Sequence, residues 1–154
     1  MTVSVYRIVN AQWLAQAFDG EAAKRYPGRW NSRGVPMVYT ASSRALAMLE
    51  ILAHFKAEDL LRAHFRIIEA VVPVKCISKR RGRWPKDWQA FPAPISARAI
   101  GDRWVRDDLS VAMAVPSALV PKEHNYLLNP HHPDFRRVVI KKPEWIEFDP
   151  RLTT

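Results

Sequence analysis

The chain has 154 residues, 48% of them hydrophobic and 25% charged, which suits one soluble globular domain with a single core and leaves little room for two. No run approaches the roughly 20 apolar residues of a membrane helix, and the lone Cys76 excludes an internal disulfide. Lys and Arg outnumber Asp and Glu by 24 to 15, and the net charge of +9 favours anionic partners: nucleic acid, a phosphate-bearing small molecule or an acidic protein.

In chain order, Val3 to Val9 alternates as a first strand with Tyr6 and Arg7 at its centre. The stretch from Met1 to Tyr6 has no basic segment followed by an apolar run, so no secretory signal is expected, and a cytoplasmic location is the default. Asn10 to Phe18 is a short amphipathic stretch. Tyr26 to Gly34 is rich in turn formers, and Val35 to Thr40 reads as a second strand with Pro36 at its start. The clearest helix spans Ser43 to Phe55, capped by Ser42 or Ser43, with Ala45, Leu46, Leu49, Leu52 and Ala53 on one face. Glu50 lies near the edge of that face.

Phe65 to Ile77 reads as one or two strands broken at Pro73, and Ser78 to Pro94 as a basic, proline-rich surface connection. Ser96 to Arg106 is a second helix with Ile100 and Trp104 paired four residues apart. Leu109 to Val115 is a strand, His124 to Pro133 a loop, Arg136 to Lys141 a strand and Trp145 to Phe148 a last short strand. Strands outnumber helices and the helices are scattered among them. The expected class is α+β (mixed α/β) with a twisted, partly antiparallel sheet, one domain over residues 1–154.

Some chemistries are unsupported by any motif. There is no Gly-x-Gly-x-x-Gly and no P-loop, and with five glycines in the chain phosphates are better met by arginine than by a glycine-rich cradle. His124, His131 and His132 lie close together, but no Cys or His-Glu-x-x-His spacing completes a site, so no metal is expected. The cluster Lys79-Arg80-Arg81-Gly82-Arg83, followed by Trp84 and Trp88, has the basic and aromatic interleaving of a single-strand nucleic-acid binder. The preferred reading is a solvated loop whose tryptophans tuck into the domain edge, because no RNA-binding motif accompanies the cluster, and direct nucleic-acid binding is not the expected function.

A series of local words carries more information. Tyr6-Arg7-Ile8, Gly28-Arg29-Trp30-Asn31, Val38-Tyr39-Thr40, Ala47-Met48-Leu49-Glu50, Ala99-Ile100-Gly101-Asp102, Val115-Pro116-Ser117-Ala118, Asn125 to Pro130 and Phe148 to Leu152 together resemble the RES-domain family, in its order and over nearly the whole chain. The family's eponymous arginine, glutamate and serine correspond here to Arg29, Glu50 and Ser117.

The resemblance implies a fold like that of the ADP-ribosyltransferases, with a split sheet, flanking helices and a cleft for NAD⁺. It implies a bacterial toxin, partnered by a helix-turn-helix antitoxin that covers the cleft, with a higher-order toxin–antitoxin complex as a further expectation. The implied activity is depletion of NAD⁺ by cleaving the nicotinamide–ribose bond, through hydrolysis or phosphorolysis, with transfer of ADP-ribose to a protein as the alternative.

In that reading Glu50 is the carboxylate that steadies positive charge on the ribose, as carboxylates do in glycoside hydrolysis. Arg29 holds phosphate or the nicotinamide ribose, and Tyr39 offers its ring to nicotinamide. Arg7 is a second candidate for the pyrophosphate, Trp30 and Asn31 wall the pocket, and Ser117 reaches a ligand amide or ribose. Ser117 lacks the Gly-x-Ser-x-Gly elbow of a hydrolase nucleophile. Asn125, Tyr126 and Asn129 are candidates for the pocket rim.

Overall fold

The structure is a computed structural model and describes residues 1–153. Strand β1 runs Thr2–Asn10, and the Asn10 carboxamide then accepts the amide of Gln12 at 3.1 Å to open a short 3-10 segment, Ala11–Gln16. A five-residue helix, α1 (Glu21–Arg25), follows; it is too short for a helical period to announce it. Strand β2 occupies Val38–Ala41, starting later than the expected Val35, because a proline at position 36 has no N–H for the ladder. Helix α2 (Arg44–His54) is capped by Ser43, whose hydroxyl accepts the Leu46 amide at 3.0 Å.

Helix α3 (Ala57–Arg62), absent from the sequence reading, buries only Leu60. Strand β3 (Phe65–Pro73) breaks at Pro73 as expected, passes through a 3-10 turn and resumes as β4 (Ile77–Lys79). After an irregular segment comes α4 (Ile95–Arg106), then β5 (Ala112–Pro116), β6 (His124–Leu128), β7 (Val139–Ile140) and β8 (Glu144–Ile146). The expected loop from His124 to Pro133 is therefore corrected at its first half. β6 pairs with both β5 and β2 and buries Leu127 and Leu128 completely, but Asn125 occupies an inward position and breaks the apolar alternation. The last two strands are also shorter than the sequence pattern implies.

The sheet order is β4-β5-β6-β2-β1-β3-β7, with β8 also on β3. β4 and β5 are parallel and every other pair is antiparallel. β1 and β3 are paired along nine residues, from Thr2↔Pro73 to Asn10↔Phe65, whereas β1 and β2 meet only at Tyr6↔Ala41. That narrow junction divides the mixed sheet into two halves, the split expected of this fold class.

Strand pleating sorts the side chains. Because Tyr39 faces Leu127 and Ala41 faces Asn125 across the ladder, these four share one face. On that face α2 packs Leu46 and Ala47 against Ile8, Ala41, Phe65 and Ile67. On the same face of the other half, α4 packs Ala97 and Trp104 against Met113, Val115 and Leu127, together with Trp30 and Met37. The opposite face buries Val5, Val38, Ala70, Val72 and Leu128.

α4 approaches the irregular segment before β2 so closely that position 101 must be glycine. A Cβ there would stand 1.7 Å from the Trp30 carbonyl oxygen. Asp102, next to it, receives the Ser32 amide at 2.8 Å and the Ser32 hydroxyl at 2.6 Å. Gly101→Ala should therefore lower stability by about 2–3 kcal/mol, seen as a fall in melting temperature of roughly 5–10 °C. A thermal melt unchanged within a degree would show that the helix can shift without cost.

Candidate active site

The polar groups gather on the sheet face between α2 and α4. Glu50 leaves the side of α2 toward the strands, where its Oε1 accepts two hydrogen bonds of 2.8 Å, from the Ser117 hydroxyl and from Asn125 Nδ2. Ser117 is fully buried at the end of β5, and its Oγ also accepts the amides of Leu119 and Val120 at 3.1 Å each. The two amides fix the hydroxyl's lone pairs, so its proton has to point at the carboxylate. Asn125 is oriented by the same logic: turned over, its carbonyl oxygen would face the carboxylate and repel it. Both fixed donors bind one carboxylate oxygen, and Oε2 is left without a protein partner among the described residues.

The buried Oδ1 of Asn125 also has no hydrogen-bond partner among the described residues. A buried acceptor left in this state costs free energy that a donor from a ligand or water recovers.

The Tyr26–Gly34 segment forms the neighbouring wall. Asn31 is completely buried: Nδ2 donates to the carbonyls of Ala23, Val35 and Ser32, while Oδ1 accepts the Gly28 amide at 2.8 Å and the Tyr39 hydroxyl at 2.6 Å. The Tyr39 hydroxyl in turn accepts the Trp30 amide at 3.0 Å. Gly28 lies against the phenol end of Tyr39, where a Cβ would come within 2.5 Å of the ring. Trp30 is buried in the α4 cluster, with Trp84 edge-on at 5.1 Å and Trp88 stacked at 6.2 Å. Trp30 and Asn31 thus shape the wall from within the core, with almost no surface of their own for a ligand.

Arg29, on the same segment, donates from Nη1 to the carbonyls of Trp88 at 2.8 Å and Ala90 at 2.6 Å. Burial lowers the affinity of its guanidinium for the proton, and the charges of Glu50 and then Tyr39 oppose that effect. The connection expected over Ser78 to Pro94 is consequently part of the site wall. Gln89 ties it to the Ser117 turn by donating to the Ala118 carbonyl at 2.8 Å.

Arg29, Tyr39, Glu50 and Ser117 are thus brought together, and Asn125, read from sequence only as rim, joins them through Glu50. Arg7 is not brought in. Its neighbours Tyr6 and Ile8 pack on the α2 face, so pleating sends Arg7 to the other face with Val5 and Val9. There Nη1 donates to the Tyr39 carbonyl at 3.1 Å while Nε has no partner among the described residues. Desolvation lowers its pKa to about 10, against the opposing charge of Asp19.

A model of the RES domain matches residues 4–149. The chain belongs to the RES-domain family. Over 150 residues it is 39% identical to "Toxin Res" of Yersinia enterocolitica, covering 96% of this chain and 98% of that one. It is 36% identical over 158 residues to the "Prs ADP-ribosylating toxin" of a Sphingobium species, covering 99% and 98%. Among solved structures it is similar to a chain of the M. tuberculosis MbcT–MbcA toxin–antitoxin complex, with a TM-score of 0.74 at 19% identity, covering 99% of this chain and 87% of that chain. At that identity the likeness is one of fold.

Burial is the main cause that raises the Tyr39 pKa well above the ordinary phenol range. The sign follows from linkage: above about pH 10 an unfolded chain releases this proton first, so Tyr39's contribution to stability declines as pH rises. Wild type and Tyr39→Phe should therefore give the same phenolate absorbance up to about pH 11, diverging only above it. A full phenol's difference by that pH would contradict the burial.

Proposed function

We propose that this protein is the toxin of a toxin–antitoxin pair and that it breaks the nicotinamide–ribose bond of NAD⁺. The observation that carries the proposal is the Glu50 carboxylate, with one oxygen held by Ser117 and Asn125, the other unengaged, and the Arg29 charge close enough to act on it. Breaking the bond sends its electron pair to the nicotinamide nitrogen and leaves positive charge on the ribose carbon. A carboxylate whose position is already fixed stabilises that charge without reorganising during the step. Its unengaged oxygen accepts ribose hydroxyls, and the partnerless Asn125 Oδ1 is a second acceptor beside it.

Arg29 carries two functions in this reading. It anchors the 88–90 segment through Nη1, and its remaining N–H groups are available to the anionic substrate. Tyr39 holds the Gly28–Asn31 turn through its hydroxyl and lines the cleft with its ring. The carbon is then taken by an oxygen nucleophile, from water in hydrolysis or from inorganic phosphate in phosphorolysis. The name of the Sphingobium relative supports a second reading, in which the nucleophile is a side chain of a target protein.

An antitoxin partner is supported by the toxin–antitoxin complex to which the fold is similar. We place its contact over the cleft mouth, with acidic groups answering the +9 charge of this chain, and we expect a helix-turn-helix protein there. The nucleic-acid reading is weakened by the fate of its aromatics: Trp84 and Trp88 are packed on Trp30 and do not present two open faces to bases.

The test is incubation with NAD⁺, with and without inorganic phosphate, following nicotinamide by chromatography. Wild type should consume NAD⁺, and Glu50→Gln should lower kcat by about 10²–10³-fold. Asn125→Ala and Ser117→Ala, which loosen the carboxylate rather than remove it, should lose about ten- to a hundredfold in kcat. NAD⁺ intact under both conditions, with label from it appearing on added bacterial protein, would replace depletion by the transferase reading.

A further inference from the structure

The loop that carries Arg29 has a second concave surface at its base. It encloses about 540 Å³ and is lined by Glu21, Lys24, Arg25, Tyr26, Arg33 and Gly34. That size lies within the range of small-ligand sites. Its lining charge is positive: Lys24 stands 3.8 Å from Glu21, whereas the guanidinium groups of Arg25 and Arg33 have neither an ion pair nor a hydrogen bond among the described residues. The Tyr26 side chain lies largely in solvent, at 80% exposure. Two unspent guanidinium forks beside an open aromatic ring match a phosphate ester that carries a planar base.

The walls are fixed although the side chains are free. Gly34 donates its amide to the Lys24 carbonyl at 2.9 Å, closing the loop at its base, and Ser32 and Asn31 pin its middle to Asp102 and the core. Tyr26 stands three residues before Arg29 and Arg33 four residues after it. No more than about 11 and 14 Å of extended chain can separate them, so this pocket and Arg29 lie within the span of one dinucleotide.

We propose that this pocket binds the adenosine-phosphate half of the dinucleotide, with Arg25 and Arg33 on phosphate oxygens and Tyr26 against the base. The proposal rests on the reading of NAD⁺ as substrate and adds the residues that hold its non-reacting end. Remote contacts of this kind act equally on the bound substrate and the transition state, so they set KM and leave kcat alone.

The experiment compares full-length wild type with the double variant Arg25→Ala/Arg33→Ala, both residues being exposed and outside the core. The KM for NAD⁺ should rise about tenfold or more with kcat within twofold. Turnover of nicotinamide mononucleotide, which lacks the adenylate half, should be equal in the two proteins. By calorimetry AMP should bind wild type and be lost in the variant. An unchanged KM for NAD⁺, an equal loss with both substrates, or AMP binding indifferent to the substitutions overturns the proposal. If wild type leaves NAD⁺ intact, the substrate reading fails on its own, and AMP calorimetry still decides whether the pocket is a nucleotide site.

Discussion

A carboxylate turned from a helix onto the inward face of a sheet is tolerated only if the groups around it supply hydrogen bonds in fixed positions. Glu50 meets that condition through Ser117 and Asn125, and the surrounding architecture serves the same end. β5 has to end where it does to present Ser117, and β6 has to pair on both sides to hold Asn125 opposite Ala41. α2 has to be pinned by Leu46 and Ala47 so that the next turn aims Glu50 at both. The price of the arrangement is an apolar surface between two helices interrupted by polar groups.

The second wall is irregular chain and needs a different device. Asn31 does in the Tyr26–Gly34 segment what a ladder does in a sheet, collecting backbone groups that have no regular partner. Gly28 and Gly101 are two places where backbone must approach closely, one against the Tyr39 ring and the other against the Trp30 carbonyl. Fixed on both sides, this segment can hold a charged Arg29 near Glu50 without the two collapsing into a simple ion pair. Arg29 is held back by the carbonyls of Trp88 and Ala90 instead.

Much of this was legible in the residues, for identifiable reasons. α2 and α4 announced themselves through helical spacing, and Ser43 as a cap, because local chemistry determines both. Arg29, Glu50, Tyr39 and Ser117 were named from ordered words resembling a family, and the fold brings the four together. What stayed hidden depends on tertiary context. β6 reads as loop because its inward positions include an asparagine, whose burial makes sense only once Glu50 is beside it. The sidedness of Arg7 was invisible because it depends on which neighbour strand β1 meets at Tyr6. The tryptophans of the basic segment looked like a surface feature because their partner, Trp30, lies more than fifty residues earlier.

That aromatic cluster has a spectroscopic consequence. Trp30, Trp84 and Trp88 lie with ring centroids 5.1 and 6.2 Å apart, one pair steeply inclined and the other nearly parallel, and close enough for their electronic transitions to couple. Coupled indoles give a near-ultraviolet circular dichroism signal that depends on their mutual angle and vanishes when they separate. Because Trp88 is also one of the residues whose carbonyl holds Arg29, any opening of that wall is written into the optical spectrum of the unlabelled protein.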